Sequence, residues 1–378
     1  MKKFIFIFLS FFFSLIFIYL FLFIYYYLTY ENNFKYNFQS LQNLNFYKKY
    51  SKKVNHLRYE VATLQRDLDP LDQTTKRNIL YHGEDLLFNV LNDSSSNKQT
   101  LLQGDSWFQQ INEFDDVKNY INDSQKNVKF VNGGIASFSP SLMNIQFNIL
   151  ENDFNIKPEI VIAYIDQTDI GDEFCRYKNL RTFDKQGVII SVPYEKFPTY
   201  KGAFNLHELI IFSEIDLKYK SKFIKTQKFI NYRFIKSLEK IKKQYQKKII
   251  KNNYFEKCGG RKLDNYLRTA NQEAIEHFEL ILNEYLNMLS KKKYLKKIFI
   301  VTHPHKLQIT TSDYKLDVSD LVSKAIQAYP KVKHINFSKI INENPNFYSQ
   351  EPWLNDLIHL NQKGYFLFFK KILQIVNK

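Results

Sequence analysis

The sequence is short of the residues that build small or repetitive folds. It has 2 cysteines, 10 glycines and 9 prolines among 378 residues. Two cysteines exclude a disulfide-framework miniprotein and a cysteine-rich zinc fold. So little glycine and proline excludes a collagen-like or low-complexity chain. Acidic residues are also in the minority: 38 Asp and Glu against 54 Lys and Arg leave a net charge of +16, which raises the question of a polyanionic partner such as nucleic acid or an anionic membrane. What is abundant is apolar. At 44% hydrophobic and 24% charged, the chain can bury a core and is not globally disordered, and its length suits one large or two small domains.

The positive charge is concentrated. Residues 218–297 hold 22 Lys and Arg against 7 Asp and Glu, a surplus of 15 that leaves the rest of the chain at +1. A solvated helical face whose Lys stems cover apolar positions accounts for such a segment. Binding to anionic lipid or a polyanionic glycan is the functional alternative. The segment lacks a nucleic-acid reading motif, so nucleic acid is not expected as a partner.

Lys2 and Lys3 are followed by an uncharged run over residues 4–30, 27 residues long. About 20 apolar residues suffice to cross the hydrocarbon of a bilayer. Tyr25, Tyr26 and Tyr27 cluster at the far end, where an interfacial aromatic belt would lie. The run lacks the small-residue cleavage site of a signal peptide. The expectation is an uncleaved single-pass anchor over residues 1–30, with the amino terminus inside and the bulk of the chain on the extracytoplasmic, periplasmic or cell-surface side. Residues 31–97 read as a polar stalk or a packed N-terminal extension, with a helix near 57–68 and a loop at 92–97.

From residue 98 to 378, short apolar runs alternate with helical patterns. Residues 100–103, 128–131, 160–165, 298–301 and 332–337 have the near-continuous apolar, β-branched character of parallel strands buried on both faces. Crossover-length intervals separate the first three. The pattern predicts a doubly wound α/β sheet. Between the third and fourth strands lie a further strand at 188–192 and two helical stretches near 220–250 and 262–289, broken by Cys258, Gly259 and Gly260. They read as a basic helical-hairpin insertion over about 215–295.

In such a sheet, ligands gather at the carboxyl ends of the strands, and the chemistry-bearing residues of this chain fall there. They are Gly104-Asp105-Ser106-Trp107 after the first strand, Asn132 to Ser139 after the second, Asp166-Gln167-Thr168-Asp169 after the third, and Asp356-Leu357-Ile358-His359-Leu360-Asn361 before the last helix. A Ser at a strand-to-helix junction exposes its hydroxyl and has its N–H at a helix N-terminus, where negative charge is stabilised. Its hydroxyl needs a base. His359 can be that base, and Asp356, three residues earlier, can fix the ring's tautomer. The turns after the second and third strands can aim donors at an oxyanion.

These blocks resemble those of the SGNH/GDSL hydrolase family, over roughly residues 98–378. The resemblance implies a flavodoxin-like three-layer parallel sheet, Ser106 as nucleophile, His359 as general base and Asp356 as its orienting partner. It implies an oxyanion hole built from Ser106 and Ser137, with Gly134 nearby, and Thr168 standing where the family has an Asn. The family's third block is Gly-x-Asn-Asp, and here Asp166 replaces its Gly. The expected activity is ester hydrolysis on O-acyl groups of a surface glycan or lipid, with no metal or organic cofactor implied. The same site with a sugar hydroxyl in place of water would make an O-acyltransferase. A non-catalytic membrane-tethered binding scaffold is the rival of another class.

Asp105, Trp107, Asp169, His303 and His305 are the candidate substrate contacts, the last two following the fourth strand in Thr302-His303-Pro304-His305. No third ligand of recognisable spacing joins those histidines, so no metal site is expected. Asp166, Asp169, Asp172 and Glu173 form an acidic cluster near Arg176, read either as a loop-holding network or as glycan recognition. Cys175 and Cys258 can pair if the domain is exported.

Overall fold

The structure, a computed structural model, describes residues 2–29, 41–50, 53–54, 87–92, 94–192, 214–246, 272–310, 317–348, 351–354 and 358–378. The helix expected near 57–68, the turn at Cys258-Gly259-Gly260 and Asp356 lie outside the described residues. In chain order the elements are α1 (Lys2–Leu28), α2 (Leu41–Tyr50), β1 (Asn89–Val90), β2 (Gln99–Gly104), α3 (Ser106–Gln109), α4 (Asp115–Ser124), β3 (Lys129–Gly134), α5 (Pro140–Phe154), β4 (Ile160–Tyr164) and α6 (Asp169–Gly171). A π-helical turn, Asp172–Tyr177, continues α6. Then come β5 (Thr182–Phe183), β6 (Ile189–Ser191), α7 (Lys222–Gln246), α8 (Gln272–Ser290), β7 (Lys297–Thr302), α9 (Lys306–Thr310), α10 (Val318–Ala325), β8 (Val332–Asn336), α11 (Phe337–Glu343) and α12 (Gln362–Val376).

The chain divides into two units, one holding α1 and α7 and the other the sheet. In the second unit, six strands run in the order β1-β3-β2-β4-β7-β8. β1 is an antiparallel edge and the other five are parallel. Numbered among themselves, the five parallel strands follow the order 2-1-3-4-5 of flavodoxin-like sheets, and strand order reverses between β2 and β4. The doubly wound sheet read from the sequence is therefore present, and the five expected core strands are its five parallel strands. Register aligns their ends: Gly104 pairs with Gly134, and Tyr164 with Val301. The segment expected as a strand at 188–192 forms β6, which pairs with β5 in a separate two-stranded hairpin.

Helices cover both faces because each carries an apolar stripe of period 3.6. On α12, Tyr365, Phe368, Phe369, Ile372, Leu373 and Val376 are buried. They pack with Leu102, Ile162, Phe299 and the α4 residues Val117 and Ile121 in one core cluster. The opposite face is built by α5 and α8. Pro140 opens α5 at its first turn, where a missing N–H costs nothing, and Asn155 in left-handed conformation closes it. A buried polar network ties this layer to the sheet: Gln103 donates to Gln146 at 2.8 Å and accepts from the Tyr285 hydroxyl at 2.9 Å.

The expected 215–295 insertion is not a single basic hairpin. Its second arm, α8, contains Glu273, Glu276, Glu279 and Glu284 and no Lys or Arg. Ala274, Phe278, Ile281, Leu282, Tyr285, Leu286 and Leu289 bury it as the crossover helix leading into β7. A parallel strand needs such a crossover, so an apolar stripe there belongs to the core.

In the other unit α7 packs on α1. Ile215, Phe229 and Ile230 are buried against Tyr19, Phe23 and Tyr26. The Phe23 and Phe223 rings lie 4.9 Å apart, and Lys222 Nζ sits 5.0 Å over the Tyr27 ring. Over the described residues alone, no helix is long and apolar enough to cross a membrane. The anchor expected over residues 1–30 therefore has the sequence run 4–30 alone behind it.

Candidate active site

Gly-Asp-Ser-Trp forms the junction of β2 and α3, and each residue has a distinct job there. Gly104 has φ +154°, and a Cβ on it would lie 2.9 Å from the Tyr164 Cβ, so only glycine lets β2 pass β4 this closely. Asp105 is the N-cap of α3, accepting from the Trp107 N–H at 2.9 Å. Ser106 is the first residue of α3 and half-buried. The Trp107 ring is fully buried and stacks on Tyr164 at 4.9 Å.

His359 meets this serine from the other end of the chain. Its Nε2 lies 2.7 Å from Ser106 Oγ, across 253 residues of sequence. The loop carrying it is pinned by a short antiparallel pairing: the Leu354 N–H donates to the His359 carbonyl at 2.8 Å and the Asn361 N–H to the Pro352 carbonyl at 2.7 Å. Leu360 is buried, and the Asn361 side chain caps α12 by accepting from the Gly364 N–H at 3.0 Å. The His-Leu-Asn block thus presents, anchors and caps in successive residues. The Glu351–Leu354 segment that supports it has no motif by which sequence reasoning could have found it.

The second block is stitched to the first. Asn132 donates to the Phe108 carbonyl at 2.8 Å and accepts from the Gly134 N–H at 2.9 Å. A Cβ on Gly134 would come within 2.5 Å of the α3 backbone. The N–H of Gly134 is therefore engaged with Asn132 and is withdrawn from the expected oxyanion set. The chain then turns through Ile135–Phe138, closed by the Phe138 N–H to the Ile135 carbonyl at 2.9 Å. Ser137 occupies this turn at φ +58°. Among the described residues, neither the Ser106 N–H nor the Ser137 N–H has an acceptor.

Thr168 does not stand in for an amide donor. Its hydroxyl and its N–H both donate to Asp166 Oδ2, the N–H at 3.0 Å. Asp166 Oδ1 lies 2.7 Å from His305 Nε2, and both side chains are buried. The buried Asp169 accepts from the Asp166 N–H at 3.0 Å. The acidic cluster is thus a loop-holding network. Burial acts to raise the Asp166 carboxyl, but the His305 charge and hydrogen bond, with the two donors of Thr168, hold it well below the usual carboxylate range. Burial and then the neighbouring carboxylates push Asp105 and Asp169 well above that range. Asp172 is pushed up to about 6 by burial, against the pull of Arg176 at 3.0 Å. Glu173 accepts from the Ser139 and Ser141 hydroxyls and the Ser141 N–H, holding the start of α5.

The five expected substrate contacts are placed otherwise. Asp105 and Asp169 are buried in capping and loop-holding roles, and Trp107 and His303 belong to the aromatic core. The His303 Nδ1 lies 2.7 Å from the Pro304 carbonyl and its Nε2 lies 2.8 Å from the Tyr348 hydroxyl. A carbonyl only accepts, so Nδ1 carries a proton, and in the neutral ring Nε2 accepts from the Tyr348 hydroxyl. Burial lowers its pKa to about 3. His305 is taken by Asp166. Apolar surroundings, invisible in a local motif, turned these residues inward. Among the described residues, no group of three His, Cys, Asp or Glu side chains is arranged to hold a metal ion. Cys175 is disulfide-bonded, and the chain's other cysteine, Cys258, lies outside the described residues.

No family model matches the chain, and no curated protein matches it. Among solved structures it is similar to an alpha/beta hydrolase enzyme from the metagenome of Lake Arreo, Spain, at 10% identity and a TM-score of 0.39, covering 75% of this chain and 96% of that one. It is also similar to a catalytic mutant of an acetylxylan esterase from Geobacillus stearothermophilus, at 11% identity and a TM-score of 0.32, covering 74% and 94%. Likenesses at this level carry no argument about this chain. Its chemistry is read from its own side chains.

Proposed function

We propose that the chain is a membrane-anchored serine hydrolase that cleaves ester bonds. One observation carries the reading: Ser106 Oγ and His359 Nε2 lie 2.7 Å apart at the carboxyl end of β2, beside the point where strand order reverses. His359 Nε2 takes the hydroxyl proton as Ser106 Oγ attacks the acyl carbon. The Ser106 and Ser137 N–H groups donate to the oxyanion, aided by the N-terminus of α3. The protonated His359 then gives its proton to the departing alkoxide, and the acyl-enzyme forms. Water, deprotonated by His359, attacks the acyl carbon and releases the acid and Ser106. Asp356 orients His359 through Nδ1 in this scheme.

The substrate class is the O-acyl group of a surface glycan or lipid. The support is the anchor read from the sequence: the uncharged run over residues 4–30 is 27 residues long, against about 20 needed to cross the hydrocarbon core. Lys2 and Lys3 favour an amino terminus inside and a catalytic unit outside, where surface polymers are met first. The Lys and Arg of α7 would add attraction to anionic lipid or an acidic glycan.

The test is the full chain in detergent with p-nitrophenyl acetate and a fluorophosphonate. Turnover, covalent labelling of Ser106, and loss of both in Ser106→Ala and His359→Ala are expected. Ser106 left unlabelled, or Ser106→Ala behaving like the wild type, overturns the reading.

A further inference from the structure

We infer that Arg176 and Tyr177, on the π-helical turn after β4, are positioning residues that aim the Ser137 N–H at the oxyanion. The inference rests on Ser106 being the nucleophile. It begins with the turn that carries Ser137. The Phe138 N–H closes this turn onto the Ile135 carbonyl, Ser137 is its third residue at φ +58°, and Ala136 is not in a positive-φ conformation. That combination defines a type II turn. Type I and type II turns differ by a flip of the central peptide, here the one between Ala136 and Ser137. The N–H of that peptide is the Ser137 N–H. The backbone state of Ser137 therefore decides whether this donor points to one side of the turn or the other.

A serine does not hold a left-handed conformation for its own sake, since its Cβ crowds the backbone there, and such residues persist where their surroundings over-determine them. Here the surroundings are specific. The buried Tyr177 hydroxyl donates to the Ser137 carbonyl at 2.9 Å. Arg176 Nη1 donates to Ser137 Oγ at 3.1 Å and pairs with Asp172 Oδ1 at 3.0 Å. Asp172 is itself buried. Gln109 Oε1 accepts from the Ala136 N–H at 3.0 Å, which fixes the peptide on the other side. Carbonyl, side chain and preceding peptide are all held, and the Ser137 N–H alone is left without an acceptor among the described residues. A π-helical turn is an uncommon element that recurs at functional sites. In this one it places two consecutive side chains, Arg176 and Tyr177, on the same serine.

The test uses substitutions that separate aiming from folding. Tyr177→Phe removes one hydroxyl from the clamp, and Ser137→Gly supplies a residue that takes positive φ without a clamp. With p-nitrophenyl acetate, Tyr177→Phe is expected to lower kcat and the rate of fluorophosphonate labelling by about 10-fold or more, with KM changed by less than about 2-fold. On the Ser137→Gly background, compared with Ser137→Gly itself, Tyr177→Phe loses less than about 3-fold. Arg176→Gln, at a one-third exposed side chain, is the second variant should Tyr177→Phe not fold, with the same expected split. A kcat unchanged in a folded variant, or an equal loss in both backgrounds, overturns the inference. A wild type that never labels at Ser106 instead overturns the functional reading beneath it.

Discussion

His303 gives a pH dependence whose size follows from the structure. It sits at 1% exposure among the rings of Trp107, Phe337, Trp353 and Phe368. Burial lowers its pKa from 6.5 to about 3. The folded chain therefore favours the neutral ring. This contribution is fully present above pH 6.5 and is lost as pH falls toward 3. Integrating between the two values gives a loss of about 2 kcal/mol at pH 5 and about 3 kcal/mol at pH 4. Buried carboxylates raised above their usual range, Asp105, Asp169, Asp172 and Glu173, act with the opposite sign and gain as pH falls. The variant His303→Phe separates them, because the carboxylates are common to both proteins. At pH 7 it is less stable than the wild type, having left the Pro304 carbonyl and Tyr348 hydroxyl unpaired at about 1–3 kcal/mol each. At pH 5 the gap should close by about 2 kcal/mol. Urea unfolding of the full chain in detergent at both pH values measures it. An equal gap at pH 7 and pH 5 would refute the neutral, buried His303.

Asp166→Ala should cost about 3–5 kcal/mol in the same assay by stranding the buried His305, and Asp166→Asn, which keeps an acceptor for Thr168, should cost less; an alanine variant as stable as the wild type would contradict the pairing. Gly134→Ala puts a Cβ within 2.5 Å of the α3 backbone that begins at Ser106, so kcat should fall on the order of 10²-fold, and an unchanged kcat would show that α3 tolerates the shift. Cys175 lies within the turn that presents Arg176 and Tyr177, so dithiothreitol should slow hydrolysis reversibly, and full activity after reduction would separate the disulfide from the site.

Much of the fold was legible because parallel strands buried on both faces are near-continuous apolar runs, and five such runs became the five parallel strands. Ser106 and His359 were legible because strand ends and the start of the last helix are where such folds put exposed polar groups. Trp107, His303 and His305 were misread for one reason. A polar or aromatic residue after a strand faces either the cleft or the core, and the local sequence is the same in both cases. Helix α8 was misread because its apolar stripe, hidden in a count dominated by basic neighbours, belongs to the crossover that every parallel strand requires.

The sequence by itself determined the uncharged amino-terminal run, the alternation of strands and helices, and the four blocks at strand ends. Those are local properties of composition and period. Only the tertiary structure decided that His359 reaches Ser106 across 253 residues, that Gly134 and Thr168 spend their donors on Asn132 and Asp166, and that Arg176 and Tyr177 converge on Ser137. Each depends on which side a turn or a side chain faces, and that is fixed by packing between elements far apart in the chain.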